Sequence, residues 1–318
     1  MNEQPNLGAG VVPVEEPGPR GPWGSYQAEL DSAGFRPSRR LGQNFLMDEG
    51  VLRRIALLAG AEEGEQLVEV GVGLGFLTAH LLAGGRKVLG VEVDARLADI
   101  AARRLPERVP HSIEGLEILR CDALGSKSEL APELEQRLSE FQRWRLAANL
   151  PYAISSPLLA QLALHRRPPE TATVLVQTEV AERLVAAPGT SQFGALTVVV
   201  QRSFEARLAM RVGPGSFRPR PKVDSAVVQL KRRRSLEAPE RRAFVAGLVR
   251  QMYTQRRKRL RAPLAARLGL AATEADRVLA EAGIEPTARV EELGQVEWGQ
   301  LANAIPGDVG PEKEPDSA

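Results

Sequence analysis

Between residues 50 and 177 the apolar positions of this chain keep switching period. Short continuous apolar runs, "QLVEVGV" at 66–72, "KVLGVEV" at 87–93, "LEILRCDA" at 116–123, "RLAAN" at 145–149 and "TATVLVQ" at 171–177, read as strands. Around them, apolar residues recur every three or four positions, which predicts helices over 50–60, 76–85, 95–105, 126–144 and after Ser156. That alternation builds a parallel sheet covered on both faces, with ligands bound beyond the carboxyl ends of the strands. A last strand, "SAVVQLKRR" at 225–233, is expected to close it. The fold class is therefore α/β, a Rossmann-like sheet over 37–233, followed by a small C-terminal helical domain over 234–304. Its clearest amphipathic segments are "RRAFVAGLVRQMY" and "EADRVLAEAG".

Residues 1–36 are dense in Pro, Gly and acidic side chains and keep no period, so they are expected to form a disordered extension. Residues 305–318 read the same way. A chain of 318 residues with 43% hydrophobic positions has enough material for these two folded units. Lys plus Arg total 42 against 40 Asp plus Glu, so the net charge of +2 says less than its distribution: cations cluster at 231–234 and 256–261. The single cysteine, Cys121, excludes an internal disulfide and a multi-cysteine zinc site, and the three histidines are scattered; no metal is expected, and a reducing cytoplasm fits. No run approaches the about 18 apolar residues of a membrane span, and the first 36 residues lack the apolar core of a signal peptide.

Chemistry is concentrated where strands end. The first strand runs into Glu69-Val70-Gly71-Val72-Gly73-Leu74-Gly75 and then a helix. Such a turn lets the backbone approach a ligand closely and offers the free N–H groups of a helix start, although it can also be no more than a tight connection. The dinucleotide fingerprint G-x-G-x-x-G needs a sixth-position glycine where Phe76 stands, so the spacing favours a nucleoside without pyrophosphate, such as S-adenosylmethionine. Glu92, ending the second strand, can accept from both ribose hydroxyls; Asp122, ending the third, can receive an adenine amino group. Each alone is compatible with a solvated strand end, but together they outline one nucleoside pocket.

The fourth strand ends in "AANLPYAISSP". Asn149 can offer a side-chain oxygen to an NH2 group, and the residue before a proline is held extended, which turns the Leu150 carbonyl outward as a second acceptor beside Pro151. Tyr152 can stack on a base and fix its plane. Two acceptors and a ring suit an exocyclic amine on a planar base, and positioning supplies most of the rate without a strong base. The alternative is that Pro151-Tyr152 only terminates a strand. Cys121, on the cofactor strand, reads as a buried structural residue rather than a nucleophile.

With these residues assembled, the chain resembles the ribosomal RNA small-subunit adenine N6,N6-dimethyltransferases, the KsgA/RsmA family. The likeness runs from about Arg39 to Ile305 and includes "LGQNFL" at 41–46, "EVGVGLGFLT" at 69–78, "VEVD" at 91–94, "CDAL" at 121–124, "NLPYAISSPLL" at 149–159, "SFRPRPKVDSAVVQL" at 216–230, "QRRKRLR" at 255–261 and "GIEPTARVEEL" at 283–293. It implies a class I methyltransferase fold that uses S-adenosylmethionine, with donor contacts from Asn44, Leu46, Gly71, Gly73, Glu92, Asp122 and Asn149, and with Gln43-Asn44-Phe45 as a candidate lid. It also implies 16S rRNA in the small subunit or its precursor as substrate, dimethylated at two adjacent adenosines in a hairpin loop near the 3′ end. A cytoplasmic monomer that assists subunit biogenesis follows from the same likeness. The chain departs from the family pattern at Val72, Ala148, Ala153, Thr178 and Ala195.

Arg256, Arg257, Lys258 and Arg259 form a cationic run, and Arg218, Arg220 and Lys222 stand in the Pro-rich loop. Charge runs are commonly solvated helix faces; beside a base-modifying pocket, these read as phosphate contacts. Three other functions compete: a 23S-type antibiotic-resistance dimethylase, a non-catalytic RNA-binding or transcription-factor relative, and a nicotinamide dehydrogenase. The intact Asn149, Glu92 and glycines oppose the second, and the missing sixth-position glycine opposes the third.

Overall fold

The computed structural model describes residues 21–37, 43–60, 65–83, 85–234 and 236–305. In chain order they form α1 (Gly21–Ser32), β1 (Phe45–Leu46), α2 (Glu49–Ala59), β2 (Gln66–Val70), α3 (Phe76–Leu82), β3 (Val88–Val91), α4 (Ala95–Arg108), β4 (Leu116–Leu119) and the hairpin strands β5 (Leu124–Ser126) and β6 (Glu129–Leu130). Next come α5 (Pro132–Glu140), β7 (Trp144–Asn149), α6 (Ser155–Leu164), β8 (Thr171–Gln177), α7 (Thr178–Val185), α8 (Ala195–Ser203), β9 (Phe204–Val212), β10 (Phe217–Arg218) and β11 (Ser225–Arg232). The helices α9 (Pro239–Tyr253), α10 (Arg261–Leu268), α11 (Ala272–Glu281) and α12 (Gln295–Ala304) complete them.

Local chemistry sets these boundaries. Asp48 caps α2 by accepting from Val51 N at 3.1 Å, and Asp94 caps α4 by accepting from Arg96 N at 3.0 Å, so both helices begin where a short carboxylate can satisfy an orphan N–H. Pro132 and Pro239 occupy the first turns of α5 and α9, where the missing N–H costs nothing. The expected helix over 126–144 is shorter than its sequence period: Leu124–Leu130 pairs with itself as a hairpin, and the helix starts at Pro132.

The seven-stranded sheet has the order β4-β3-β2-β7-β8-β11-β9. Strands β4, β3, β2, β7 and β8 are parallel, and β11 runs antiparallel to β8 with Ser225 opposite Gln177. Chain order reverses between β2 and β7, so the loops leaving those two strands diverge and open a crevice at their carboxyl ends. Glu69 and Gly71 stand on one side of it and Asn149 on the other. The expected α/β sheet is present, with β11 closing it as a reversed strand and with β9, absent from the sequence reading, beyond it.

The chain divides into two units. The first runs to Ala181 and resumes over Glu205–Arg232; the second comprises Glu182–Phe204 and the chain from Arg233. The expected boundary near residue 233 therefore needs correction, because it leaves Glu182–Phe204 in the sheet domain. Within the second unit, Phe193 and Val198 are buried in one apolar cluster with Val245, Leu279 and Trp298, and Arg202 pairs with Glu237. An amphipathic helix goes with the apolar face that it buries.

The expected disorder of residues 1–36 fails over its second half. Residues 21–32 are helical, and Tyr26, Leu30 and Phe35 are at most 4% exposed in the core of the first unit. Tyr26 meets Phe76 edge-on with ring centroids 5.0 Å apart, and Glu29 pairs with Arg103 and Arg104 of α4. Tyr26 and Leu30 stand one turn apart on α1 and Phe35 lies beyond its end, so the apolar face is short and is outweighed in the sequence by the Gly, Pro and acidic residues around it. Residues 1–20 and 306–318 lie outside the described residues.

Candidate active site

Beyond β2, β3 and β7 a cavity of about 100 Å³ is lined by Gln43, Asn44, Gly71, Gly73, Glu92, Asp122, Asn149, Leu150, Pro151 and Tyr152, together with Phe45 and Cys121. Every expected catalytic residue and all but one of the expected donor residues thus converge on one space. Leu46 lines instead the small neighbouring cavity that Glu69, Gly71 and Asn149 also line, with its side chain 3% exposed and opposite Phe217 in the β1–β10 pair. Its apolar side chain holds the strand while Asn44 and Phe45 face the cavity.

The glycine turn works by its backbone. Gly71 and Gly73 have φ of 83° and 57°, the left-handed region that a Cβ disfavours. A Cβ on Gly71 would stand 3.3 Å from Pro151 Cδ, and one on Gly73 would stand 3.3 Å from the Phe45 ring. The turn, the Asn-Leu-Pro-Tyr loop and the strip at 43–46 are therefore packed against one another with no room for a side chain between them. Val72, one of the departures, fills space over Gly90, where a Cβ would come within 2.5 Å of its methyl group.

Glu92 is 5% exposed; its Oε2 accepts from Gly73 N at 2.8 Å and its Oε1 from Asp94 N at 3.0 Å. Burial raises its pKa, and the two N–H bonds oppose the rise. Asp122 Oδ1 accepts from Leu124 N at 3.0 Å, and its other oxygen has no partner among the described residues. Glu69, which the sequence presents only as part of the turn, is 1% exposed beside a second, small cavity that Asn149 also lines, and its Oε2 has no hydrogen-bond partner among the described residues. Burial pushes its carboxyl up to about 8; the nearby Thr78 hydroxyl opposes this, although Thr78 Oγ1 makes no hydrogen bond of its own among the described residues, and the Glu92 charge adds to it. These residues fit a cationic nucleoside donor: two strand-end carboxylates for the sugar and base, a side-chain-free glycine turn that lets the ligand come close to the backbone, and a buried carboxyl with an unpartnered oxygen for a positive group.

At the acceptor end, Asn149 Nδ2 donates to the Asn44 carbonyl at 3.0 Å. A carbonyl can only accept, so the amide nitrogen must face Asn44 and Oδ1 must face away. Leu150 N donates to Leu175 O at 3.1 Å, while the Leu150 carbonyl accepts no hydrogen bond among the described residues. Two acceptors are left open, as the loop sequence predicts. Cys121 lines the cavity rather than being a buried structural residue, and burial, with the Glu133 and Asp122 charges, pushes its thiol up to about 11. It stays a neutral wall group and not a nucleophile.

A larger open groove of about 570 Å³ adjoins this cavity, sharing Gln43, Asn44, Tyr152 and Ala153 with it and adding Pro37, Gln177 and the loop Pro219–Val223. Arg220 and Lys222 line this groove. Arg218 does not: its guanidinium turns back onto the carbonyls of Gly215 and Phe217. The strip at 43–46 is strapped rather than loose, since Phe45–Leu46 pairs with Phe217–Arg218 and Met47 N donates to Ser216 O at 2.8 Å. In the second unit, Arg256, Arg257, Lys258 and Arg259 are exposed in the turn between α9 and α10, and none has an acidic partner among the described residues. They sit on a turn and not on a helix face.

Residues 34–306 match the family described as ribosomal RNA adenine dimethylase. The chain is 36% identical over 285 residues to "Ribosomal RNA small subunit methyltransferase A" of Lysinibacillus sphaericus, an alignment that covers 88% of this chain and 94% of that one. In fold it is similar to a dimethyladenosine transferase from Plasmodium falciparum, with a TM-score of 0.64 and 26% identity over 81% of this chain and 95% of that one. It is also similar to the 23S rRNA methyltransferase ErmE, with a TM-score of 0.57 and 27% identity over 82% and 99% of the two chains.

Proposed function

The chain belongs to the ribosomal RNA adenine dimethylase family, an S-adenosylmethionine-dependent group of enzymes, and on that premise we propose that it dimethylates N6 of two adjacent adenosines in a hairpin loop near the 3′ end of small-subunit rRNA. The observation that carries the site assignment is the bond from Asn149 Nδ2 to Asn44 O, because it commits Asn149 Oδ1 to the acceptor side.

When bound, the donor supplies an electrophilic sulfonium methyl. Glu92 and Asp122 hold its nucleoside, and Glu69, protonated in the empty site, ionises beside the positive charge at its amino acid end. On the other side, Asn149 Oδ1 and the Leu150 carbonyl accept the two N–H bonds of the adenine amine, which localises a lone pair otherwise shared with the ring. Tyr152 stacks on the base and fixes its plane. As the methyl–nitrogen bond forms, the methyl–sulfur bond breaks to leave the neutral thioether S-adenosylhomocysteine. The nitrogen becomes cationic, its protons acidify and one passes to solvent, so the transfer needs oriented acceptors and not a strong base. One N–H remains after the first methylation and can still be held; none remains after the second, and the product loses its anchor.

The groove beside Tyr152, edged by Arg220 and Lys222, suits the strand that carries the extruded base, and the Arg256–Arg259 turn suits a phosphate backbone. The substrate in this reading is 16S rRNA in the small subunit or its precursor, in the cytoplasm where ribosomes assemble. No helix among the described residues is long and apolar enough to cross a membrane. Donor-dependent labelling of small subunits lacking the modification, followed by nucleoside mass analysis, tests the proposal. Dimethyladenosine in small-subunit RNA is the expected product; monomethyl product alone, or label confined to large-subunit RNA, overturns it.

A further inference from the structure

Tyr152 is held by a residue that neither the glycine turn nor the Asn-Leu-Pro-Tyr loop contains. Its phenol oxygen lies 2.8 Å from Ser225 Oγ, across 73 residues of sequence. Ser225 is wholly buried at the first position of β11, opposite Gln177 at the end of β8. The backbone around Tyr152 is already tied down: Ile154 N donates to Pro151 O at 3.1 Å, and Ser155 Oγ donates to the Tyr152 carbonyl at 3.2 Å. Those bonds set where the side chain starts. They leave its two torsions free, and these torsions set the plane of the ring. The hydrogen bond at the far end of the ring removes that freedom.

We propose that Ser225 is a positioning residue for methyl transfer: its buried hydroxyl anchors the phenol of Tyr152 and so fixes the plane on which the acceptor base stacks. This rests on the assignment of Tyr152 as the stacking residue. Ser225 follows the loop Pro219–Val223 by two residues, and that loop and Tyr152 line the same groove. One hydrogen bond therefore ties the stacking ring to the segment that bears Arg220 and Lys222, and keeps the base plane and the backbone contacts in a fixed relation. A ring free to tilt would still bind a base, but it would present the amine away from the axis of the donor methyl, and a displacement of about 1 Å at the reacting atoms costs on the order of 100-fold in rate.

The test compares Ser225→Ala, Tyr152→Phe, the double variant and Tyr152→Ala, using small subunits that lack the modification. Ser225→Ala and Tyr152→Phe are each expected to lower kcat about 10- to 100-fold, with donor affinity within about twofold of the parent. The double variant should be no slower than the slower single variant, because both remove the same bond. Spectrophotometric titration should show the Tyr152 phenol, identified by its loss in Tyr152→Phe, moving further up in Ser225→Ala, since the Ser225 bond now opposes the upward push of burial. A purely structural role would not move kcat and the phenol together at constant donor affinity. Parent-like kcat in a folded Ser225→Ala, or deficits that multiply in the double variant, overturns the inference. If Ser225→Ala does not fold, Tyr152→Phe decides alone: a parent-like kcat overturns it, and a 10- to 100-fold loss with donor binding intact upholds it. Full activity in Tyr152→Ala would instead overturn the stacking assignment itself.

Discussion

The side-chain amide of Asn149, at the end of β7, donates to the main-chain carbonyl of Asn44 across 3.0 Å and 105 residues of sequence. That bond does two things at once. It adds one tie to a strip that the β1–β10 pairing and the bond from Met47 N to Ser216 O already hold at the donor cavity, and it turns the Asn149 oxygen toward the acceptor. Replacing Asn149 by Ala should therefore lower methyl transfer by orders of magnitude while leaving most of the donor affinity, as isothermal titration and single-turnover assays can read separately. Asn149→Asp should be as inactive and should also weaken donor binding, because a carboxylate oxygen would face the Asn44 carbonyl where a donor now stands. Near-parent turnover in either variant would make the loop a structural strand end.

Glu92→Ala should act mainly on donor binding, since the strand-end carboxylate meets the nucleoside before and during transfer alike. The expected pattern is a raised donor Kd with a kcat at saturation closer to the parent than that of Asn149→Ala. A variant with parent-like donor affinity would remove Glu92 from the pocket.

Glu69 gives the unliganded protein a pH dependence of defined sign. Its folded pKa, raised to about 8 by burial, exceeds the unfolded carboxylate value, so the folded state holds a proton that the unfolded state has released. The contribution is fully present below the unfolded pKa and is lost as the pH rises toward and through 8. Glu69→Gln, which keeps the shape without the proton loss, should have a flatter profile of melting temperature between pH 5 and 9 and should gain on the parent at the alkaline end, by about 2–4 °C for each kcal/mol recovered. Parallel profiles would show that Glu69 does not titrate in this range.

Replacing Arg256, Arg257 and Arg259 together by Gln should weaken RNA binding and reduce the magnitude of its log–log salt slope by about one for each of these cations that meets a phosphate. Donor affinity should be unchanged. An unchanged salt slope would leave the turn as a solvated cationic surface.

The helix α1 should matter to both stability and the donor. Trp23 and Phe35 each approach the Phe45 ring with centroids 6.1 Å apart, and Phe45 lines the donor cavity. Removing residues 1–36 should lower the melting temperature and weaken donor binding. Tyr26→Ala alone should cost about 3 kcal/mol, or roughly 6–12 °C. A truncated chain with parent-like melting and donor affinity would return this segment to the status of an appendage.

Taken alone, the sequence determined strands β2, β3, β4, β7 and β8, the glycine turn, the strand-end acids Glu92 and Asp122, and the Asn149–Tyr152 loop. Buried parallel strands leave continuous apolar runs, and ligand groups at their carboxyl ends follow from where each run stops. These signals are local, and each is complete within about ten residues. Tertiary structure alone decided what depends on distant partners. Ser225 reads as the first residue of a strand until its hydroxyl meets Tyr152. Leu46 reads only as part of a donor motif until its pairing opposite Phe217 buries its side chain. Glu182–Phe204 reads as part of the sheet domain until Phe193 and Val198 find the cluster around Trp298, and residues 21–36 read as disordered until three large side chains find a core. The physical reason is common to all four. A hydrogen bond or an apolar contact between residues tens of positions apart leaves no period in the chain, because its energy exists only once the intervening segments have folded.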